Sequence, residues 1–127
     1  MRVLSFGAAG AVLATLTFLP QLSSAQQTPI AYVPAAGVTV SGSLSVENGK
    51  VSIGNNGTIQ AGDSTARVKL ARGGDLRVCA STEVHLSRDT SVEGADSALM
   101  IAMDRGALEA SYVPGKYSDV LLTPDLR

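Results

Sequence analysis

Apolar residues occupy alternate positions along most of this chain, and that period of two restricts its folds more than any other feature. Successive side chains of a β-strand point to opposite faces of a sheet, so such alternation is typical of a strand with one buried face. The alternating apolar residues are Val38, Val40, Leu44, Val46, Val51, Ile53, Ala66, Val68, Leu70, Leu76, Val78, Ala80, Val84, Leu86, Leu108, Ala110 and Tyr112. The pattern predicts a succession of short strands.

Turn residues separate these alternating runs. Asn48-Gly49 lies between the first two runs, and Asn-Gly is a strong hairpin signal because both central residues must accept positive φ. Gly73-Gly74 predicts a second tight turn. Residues 54–57 (GNNG) are expected to end the second strand. Strands joined by such tight turns are antiparallel neighbours.

The C-terminal third of the chain completes the fold prediction. Residues 98–103 (ALMIAM) are almost all apolar, which predicts a strand buried on both faces. A helix over residues 98–112 is the alternative, because alanine, leucine and methionine favour helices, but Gly106 and the alternation after it favour strands. Residues 119–124 supply the last strand. The sequence therefore predicts an all-β fold, an antiparallel β-sandwich or β-roll of about seven to nine short strands after an N-terminal signal helix.

The N-terminus has the layout of a secretory signal peptide. Arg2 provides a positive start, residues 3–19 are mostly apolar and uncharged, and Pro20 precedes the small residues that end at Ala25. This order predicts cleavage between Ala25 and Gln26. A retained membrane anchor is the alternative, but the apolar run is slightly short for spanning a bilayer.

Cleavage at this position divides the chain into three parts. We expect a signal peptide over residues 1–25, a linker over 26–36 that contains two prolines, and a β domain over 37–127. An apolar strand lies so near the last residue that the sequence allows two interpretations, a domain that ends in a strand or a β domain truncated at its C-terminus. The mature protein is expected to be periplasmic or secreted in a bacterial envelope, with membrane contact only through the signal peptide before cleavage.

Length and charge limit the function classes. Removing 25 of the 127 residues leaves 102, and losing Arg2 changes the formal net charge from −1 to −2. One domain with a modest core is expected at that size. A near-neutral balance lacks the basic face that nucleic-acid binding requires, so no nucleic-acid partner is expected.

The only cysteine, Cys79, and the only histidine, His85, lie in one alternating run. If a single strand continues from Leu76 to Leu86, both face outward and lie about 20 Å apart, at about 3.3 Å per residue. That separation is too long for a shared metal ion or for a Cys–His dyad. We therefore expect no catalytic, cofactor-binding or metal-binding residues and no cofactor. Cys79 is free, bridged to a partner, or waiting for a cysteine outside this sequence.

Two segments carry a resemblance to a known family. The sequence GTIQAGDSTARVKLARGGDLRVCASTEVHL (residues 57–86), followed by LMIAMDRGALEASY (residues 99–112), resembles the FecR-like periplasmic β-domain over residues 57–123. The residues that fill the family pattern are Gly62-Asp63, Ala66, Val68, Leu70, Gly73-Gly74, Leu76, Val78, Thr82, Val84, Leu86 and the run from Leu99 to Leu108. The family motifs are short and mostly structural.

The resemblance implies an antiparallel β fold outside the cytoplasm. In some members of the family that fold relays a signal from an outer-membrane receptor to a sigma factor. This sequence has neither the cytoplasmic N-terminal region that would hold a sigma factor nor, after cleavage, a transmembrane helix. The family supplies no catalytic residues, so the resemblance bears on fold more than on activity.

Three functional hypotheses follow from these observations. The first is a non-enzymatic exported domain that binds another envelope protein, such as a receptor or regulator, in signalling of FecR type. The second is a structural module of the cell envelope or surface that binds wall polysaccharide. The third, an enzyme with Cys79 as nucleophile, has no base within reach on a continuous strand.

Overall fold

The computed structural model describes Pro20, residues 27–92 and residues 97–124. The described residues form strands and connections, without a helix. The nine strands are β1 (Ala31–Pro34), β2 (Val38–Glu47), β3 (Lys50–Ala61), β4 (Ala66–Leu70), β5 (Gly74–Val78), β6 (Glu83–Arg88), β7 (Leu99–Arg105), β8 (Leu108–Tyr112) and β9 (Val120–Leu122). The all-β prediction is therefore confirmed, while the predicted signal helix lies outside the described residues.

All nine strands belong to one curled sheet with the shape of a half-barrel. Their order is β8-β5-β4-β1-β3-β6-β7-β9, and β2 pairs with β3 beside this path. Every pair is antiparallel except β7 with β9, which are parallel, so the sheet is mixed rather than purely antiparallel. The expected sandwich or roll is not confirmed.

The long strand β3 joins the two halves of the sheet. β2 lies along one edge of β3 for nearly its whole length. The other edge pairs first with β1 and then, beyond residue 55, with β6. The half that contains β1, β4, β5 and β8 and the half that contains β6, β7 and β9 therefore diverge from one strand, and their inner faces enclose the core.

Most of the core consists of inward residues that the alternation predicts, but Val46 and Ala110, which the same alternation places on inner faces, are exposed. Val68, Leu76, Val78, Val84 and Leu86 are each 0% exposed, which confirms the predicted inner faces of β4, β5 and β6. The remaining buried apolar residues are Ile30, Ala31, Val33, Val51, Ile53, Ile59, Ala61, Ala66, Leu70, Leu99 and Ile101. Burial of these aliphatic side chains supplies the main driving force for folding.

The predicted hairpin at Asn48-Gly49 is confirmed. Asn48 has φ 50° and Gly49 has φ 73°, and Glu47 pairs with Lys50 across the turn. Asparagine and glycine are the residues that tolerate this left-handed backbone best.

The prediction that residues 54–57 end the second strand is wrong, because β3 continues through them to Ala61. Gly57 lies so close to the carbonyl of Ser41 that a Cβ atom there would be crowded. The register of β2 against β3 also shifts between Ser41 and Ser45. Gly57 therefore allows a close approach of two strands at a bulge rather than a turn.

Two expectations about burial and linkers are also wrong. Residues 98–103 do not form a strand buried on both faces: Leu99 and Ile101 are buried, but Met100 is 44% exposed, because only one face of β7 is covered. Residues 31–34 of the expected linker form β1, which lies between β3 and β4. Val33 is fully buried there, and Pro34 ends the strand, where its missing N–H costs no ladder bond.

The strand does not continue from Leu76 to Leu86. Residues 79–82 form a turn in which the Thr82 N–H donates to the Cys79 carbonyl at 3.2 Å, and Ser81 has φ 59°. Ala80, expected on the inner face, is exposed. β5 and β6 consequently belong to different halves of the sheet.

Candidate functional site

The end of the sheet at β9 exposes four large apolar side chains close together. Val120, Leu121 and Leu122 are 42%, 49% and 49% exposed, and the neighbouring Met100 on β7 is 44% exposed. β9 pairs only with β7 among the described strands. We refer to Met100, Val120, Leu121 and Leu122 as the β9 edge.

Asp119 anchors this edge strand to the rest of the fold. Its Oδ1 accepts a hydrogen bond from the Leu99 N–H at 2.8 Å, at the first residue of β7. Its Oδ2 accepts a bond from Arg72 Nη2 at 2.5 Å, from the turn between β4 and β5. The two charged side chains are 10% and 11% exposed, so this ion pair is almost fully buried. One carboxylate thus ties β9 to both halves of the sheet.

Arg72 stands in an unusual environment for a cation. Its guanidinium carbon lies 5.1 Å from the centre of the Tyr112 ring, within the range of a cation–π contact. Nε and Nη1 of Arg72 are buried without a hydrogen-bond partner among the described residues. Beside Arg72 is a cavity of about 170 Å³, lined mainly by apolar atoms and by residues that include Ile30, Leu99 and Arg88. Because water reaches Arg72 poorly, the Asp119 carboxylate is its main electrostatic compensation.

A hollow of about 340 Å³ adjoins the β9 edge. Its lining includes Val120, Met100 and Leu99 on one side and Arg88 and Asp89 at the end of β6. It is therefore an apolar depression with one residue of each charge on its border. Such a depression can receive a single side chain from a bound peptide.

The acidic residue beside this hollow is held ionised. The Ser91 hydroxyl donates to Asp89 Oδ1 at 2.6 Å and the Ser91 N–H donates to the same oxygen at 2.9 Å. The hydroxyl hydrogen bond, and then the backbone one, lower the pKa of Asp89. The negative charge on this side of the hollow is therefore retained at neutral and mildly acidic pH.

A separate polar cluster lies on the outer face of β6 and β7. His85 Nε2 is 3.3 Å from Asp104 Oδ2, and its Nδ1 is 2.7 Å from the Thr58 hydroxyl on β3. Glu83 brings a second carboxylate to the same place. We refer to Glu83, His85 and Asp104 as the His85 cluster.

Cys79 and His85 lie in different parts of the sheet. Cys79 lies in the turn after β5, where its N–H donates to the Ala107 carbonyl at 3.1 Å, and it is a free, half-buried thiol. His85 lies on β6, in the other half of the sheet. Ala25 and Gln26, the predicted cleavage residues, lie outside the described residues.

Sequence reasoning did not find the residues that the fold brings together. Asp119 meets Arg72 across 47 positions of the chain. Asp104 meets His85 only because β7 lies beside β6. The one available signal was Asp119 itself, a carboxylate directly before an apolar strand, but nothing in the sequence indicates its partner.

Comparison with known proteins adds no identification. No protein-family model matches this chain, and no curated protein or solved structure matches it. Within residues 27–92 and 97–124 there is also no helix with the length and apolarity that a membrane span requires. The geometry of the β9 edge and of the His85 cluster is therefore the basis for any functional conclusion.

Proposed function

We propose that this protein is a non-enzymatic, exported domain of the bacterial envelope that binds another envelope protein by adding an extended segment of that protein to β9. The observation that carries this proposal is the exposed, apolar edge strand Val120–Leu122, which among the described strands is paired on one side only. Strand addition to an open sheet edge is a recurring mode of peptide recognition.

The residues of β9 favour pairing with a further strand, because they do not block the open edge of the sheet. An edge strand offers a row of unpaired backbone N–H and C=O groups, and proteins usually block such edges with charged residues or with proline inside the strand. Val120, Leu121 and Leu122 include neither. A sequence of this kind at an edge is therefore suited to accept another strand.

The same surface defines the bound segment. Because all three side chains of β9 are apolar and exposed, the complementary segment is extended, uncharged and apolar. Its main chain would hydrogen-bond to β9, and one of its side chains would enter the hollow beside Val120 and Met100. Asp119 holds β9 in place from the buried side, which limits the conformational entropy lost on binding.

The wider setting of the proposal follows the sequence. Cleavage after Ala25 would release the mature domain into the periplasm or outside the cell, and the FecR-like resemblance suggests a receptor or a regulator as the bound protein. In this proposal the curled sheet acts as a β-roll of the FecR type, and binding requires no cofactor.

A crosslinking pull-down from envelope extract of the source organism tests the proposal. We expect the wild-type chain to enrich one protein whose crosslinks lie at residues 120–122. Leu121→Lys should reduce that recovery at least about tenfold, because a lysine on an edge strand opposes strand addition. Val113→Lys is the matched control, since Val113 is 71% exposed and outside every strand.

Two results would contradict the proposed function. Equal recovery with the wild type and Leu121→Lys would place binding elsewhere on the protein. Recovery of wall polymer alone, unchanged after protease treatment of that polymer, would instead favour a structural module that binds polysaccharide.

A further inference from the structure

We infer that the His85 cluster binds a divalent transition-metal ion, with Zn²⁺ as the ion that its donor atoms fit best. Glu83, His85 and Asp104 each offer one ligand atom, and these atoms all lie within 4.8 Å of one another. The inference is independent of the proposed binding at β9.

Strand geometry places two of the ligands on one face. Glu83 and His85 are two positions apart on β6, and side chains two apart in a strand point to the same side of the sheet. Val84 between them is fully buried, so Glu83 and His85 point outward. The third ligand comes from β7, which lies directly beside β6.

A β-bulge brings Asp104 to these two residues. Val84 pairs with Met103 and Glu83 pairs with Arg105, so one step on β6 corresponds to two steps on β7. Asp104 is the extra residue at this irregularity. Bulges redirect a side chain, and they are frequent beside functional sites. Here the bulge directs the Asp104 carboxylate toward His85 Nε2.

The second ring nitrogen of His85 has a hydrogen-bond partner, as metal-binding histidines normally do. Thr58, the cross-strand neighbour of His85 on β3, places its hydroxyl 2.7 Å from Nδ1. When Nδ1–H donates to this hydroxyl, the Nε2 lone pair is free for a metal, and the ring orientation is held by a residue that is not itself a ligand.

The distance between the ligand atoms also suits a shared ion. Nε2 and Asp104 Oδ2 are 3.3 Å apart. Charge-assisted N–H···O hydrogen bonds are about 2.7–2.9 Å long. Two atoms that each lie about 2.0–2.1 Å from Zn²⁺ at a tetrahedral angle are about 3.3–3.4 Å apart.

The charges of the His85 cluster also favour a bound cation. Glu83 and Asp104 place two carboxylates together, and among the described residues the one ion pair that either forms is the contact of Asp104 with His85. A bound divalent cation would neutralise both carboxylates. Imidazole with carboxylate favours Zn²⁺ and related transition metals, whereas Mg²⁺ and Ca²⁺ prefer ligand sets made of oxygen alone. His85 and Asp104 have side chains 46% and 55% exposed, so the ion can enter from solvent.

Isothermal titration of the purified chain with ZnCl₂ tests the inference. We expect one ion per chain, with no comparable binding of MgCl₂. His85→Ala and Asp104→Asn should each weaken Zn²⁺ binding by at least about 10-fold. Thr58→Val removes no ligand, but it should weaken binding by about 10–100-fold, because it removes the support of Nδ1.

Two controls separate this site from other donors. Cys79→Ser should leave Zn²⁺ binding unchanged, and this result would exclude the free thiol as a ligand. Glu109→Gln removes an exposed carboxylate that pairs with Arg77 on the other half of the sheet, and it should also have no effect. All substituted residues other than Cys79 are on the outer face, and circular dichroism will verify that each variant is folded. Equal Zn²⁺ affinity of the wild type and His85→Ala, or loss of binding in Cys79→Ser alone, would overturn the inference.

Discussion

Thr82 shows how a single side chain can connect parts of the sheet that are distant in sequence. It is fully buried, although threonine is a polar residue. Its Oγ1 accepts a hydrogen bond from the Ala107 N–H at 3.0 Å and donates to the Ala107 carbonyl at 3.2 Å. Its own carbonyl accepts from the Ala61 N–H at 2.9 Å. The turn before β6 is thereby joined to β3 and to the connection between β7 and β8.

At this scale we predict that Thr82→Val destabilises the protein by about 1–3 kcal/mol. Valine keeps the shape but leaves both Ala107 groups without their hydroxyl partner. Urea unfolding will measure the change, with Thr65→Val, at an exposed position, as the control that should change stability by less than about 0.5 kcal/mol. Equal effects of the two substitutions would show that the hydroxyl of Thr82 is not important for stability.

At the scale of elements, β9 depends on a contact that lies outside the strand itself. It is only three residues long and exposed along its length. Its position is determined by Asp119, which binds the first residue of β7 and the turn that contains Arg72. A short exposed strand gains little from its own packing, so this buried anchor is what makes the β9 edge a defined surface.

We predict that Asp119→Ala costs about 3–5 kcal/mol, because it leaves the buried Arg72 without its counter-charge. Hydrogen exchange at residues 120–122 should become faster, since β9 loses its anchor. Glu109→Ala is the matched control. It also removes a carboxylate from an arginine, but that pair has side chains 54% and 67% exposed and should contribute less than about 1 kcal/mol. Similar losses of stability in Asp119→Ala and Glu109→Ala would show that burial does not determine how much an ion pair contributes here.

At the scale of the whole molecule, one core supports both halves of the sheet. Ile53 on β3 and Leu86 on β6 belong to the same cluster of buried residues, and each is 0% exposed. Neither half has a second apolar face of its own to bury. The described strands are therefore expected to unfold together.

We predict that Ile53→Ala and Leu86→Ala each destabilise the protein by about 2–5 kcal/mol through a cavity in the shared core. Each variant should still show a single unfolding transition, with the same midpoint by circular dichroism and by hydrogen exchange in both halves. Val113→Ala, at a residue that is 71% exposed, should change stability by less than about 0.5 kcal/mol. Two separated transitions would mean that the halves fold independently.

The period of two in the sequence was sufficient to predict most strands and their inner faces. Val68, Leu76 and Leu86 are buried as the alternation requires, because the pleat of a strand sends alternate side chains to one side whatever the neighbouring strand is. The Asn48-Gly49 hairpin was equally predictable, since its backbone angles are local preferences of those two residues.

The strand β1 and residues 54–57 were not predictable in this way. Four residues between prolines carry too weak a local signal to be recognised as the strand between β3 and β4. Glycines mark turns in most sequences, but here Gly57 permits β2 to lie very close to β3 at an irregular part of their pairing. The structure of each of these two segments depends on the strands that pair with it.

By itself the sequence determined that the part of the chain described here is all-β, where most of its strands lie and which of their faces are buried, because these properties depend on neighbours one to three positions away. Only the tertiary structure decided that Arg72 meets Asp119 and that Asp104 meets His85. Those contacts depend on strand order, on register and on one bulge, which result from closing the whole sheet around a single core. The β9 edge and the His85 cluster, where we propose function, both belong to this second group.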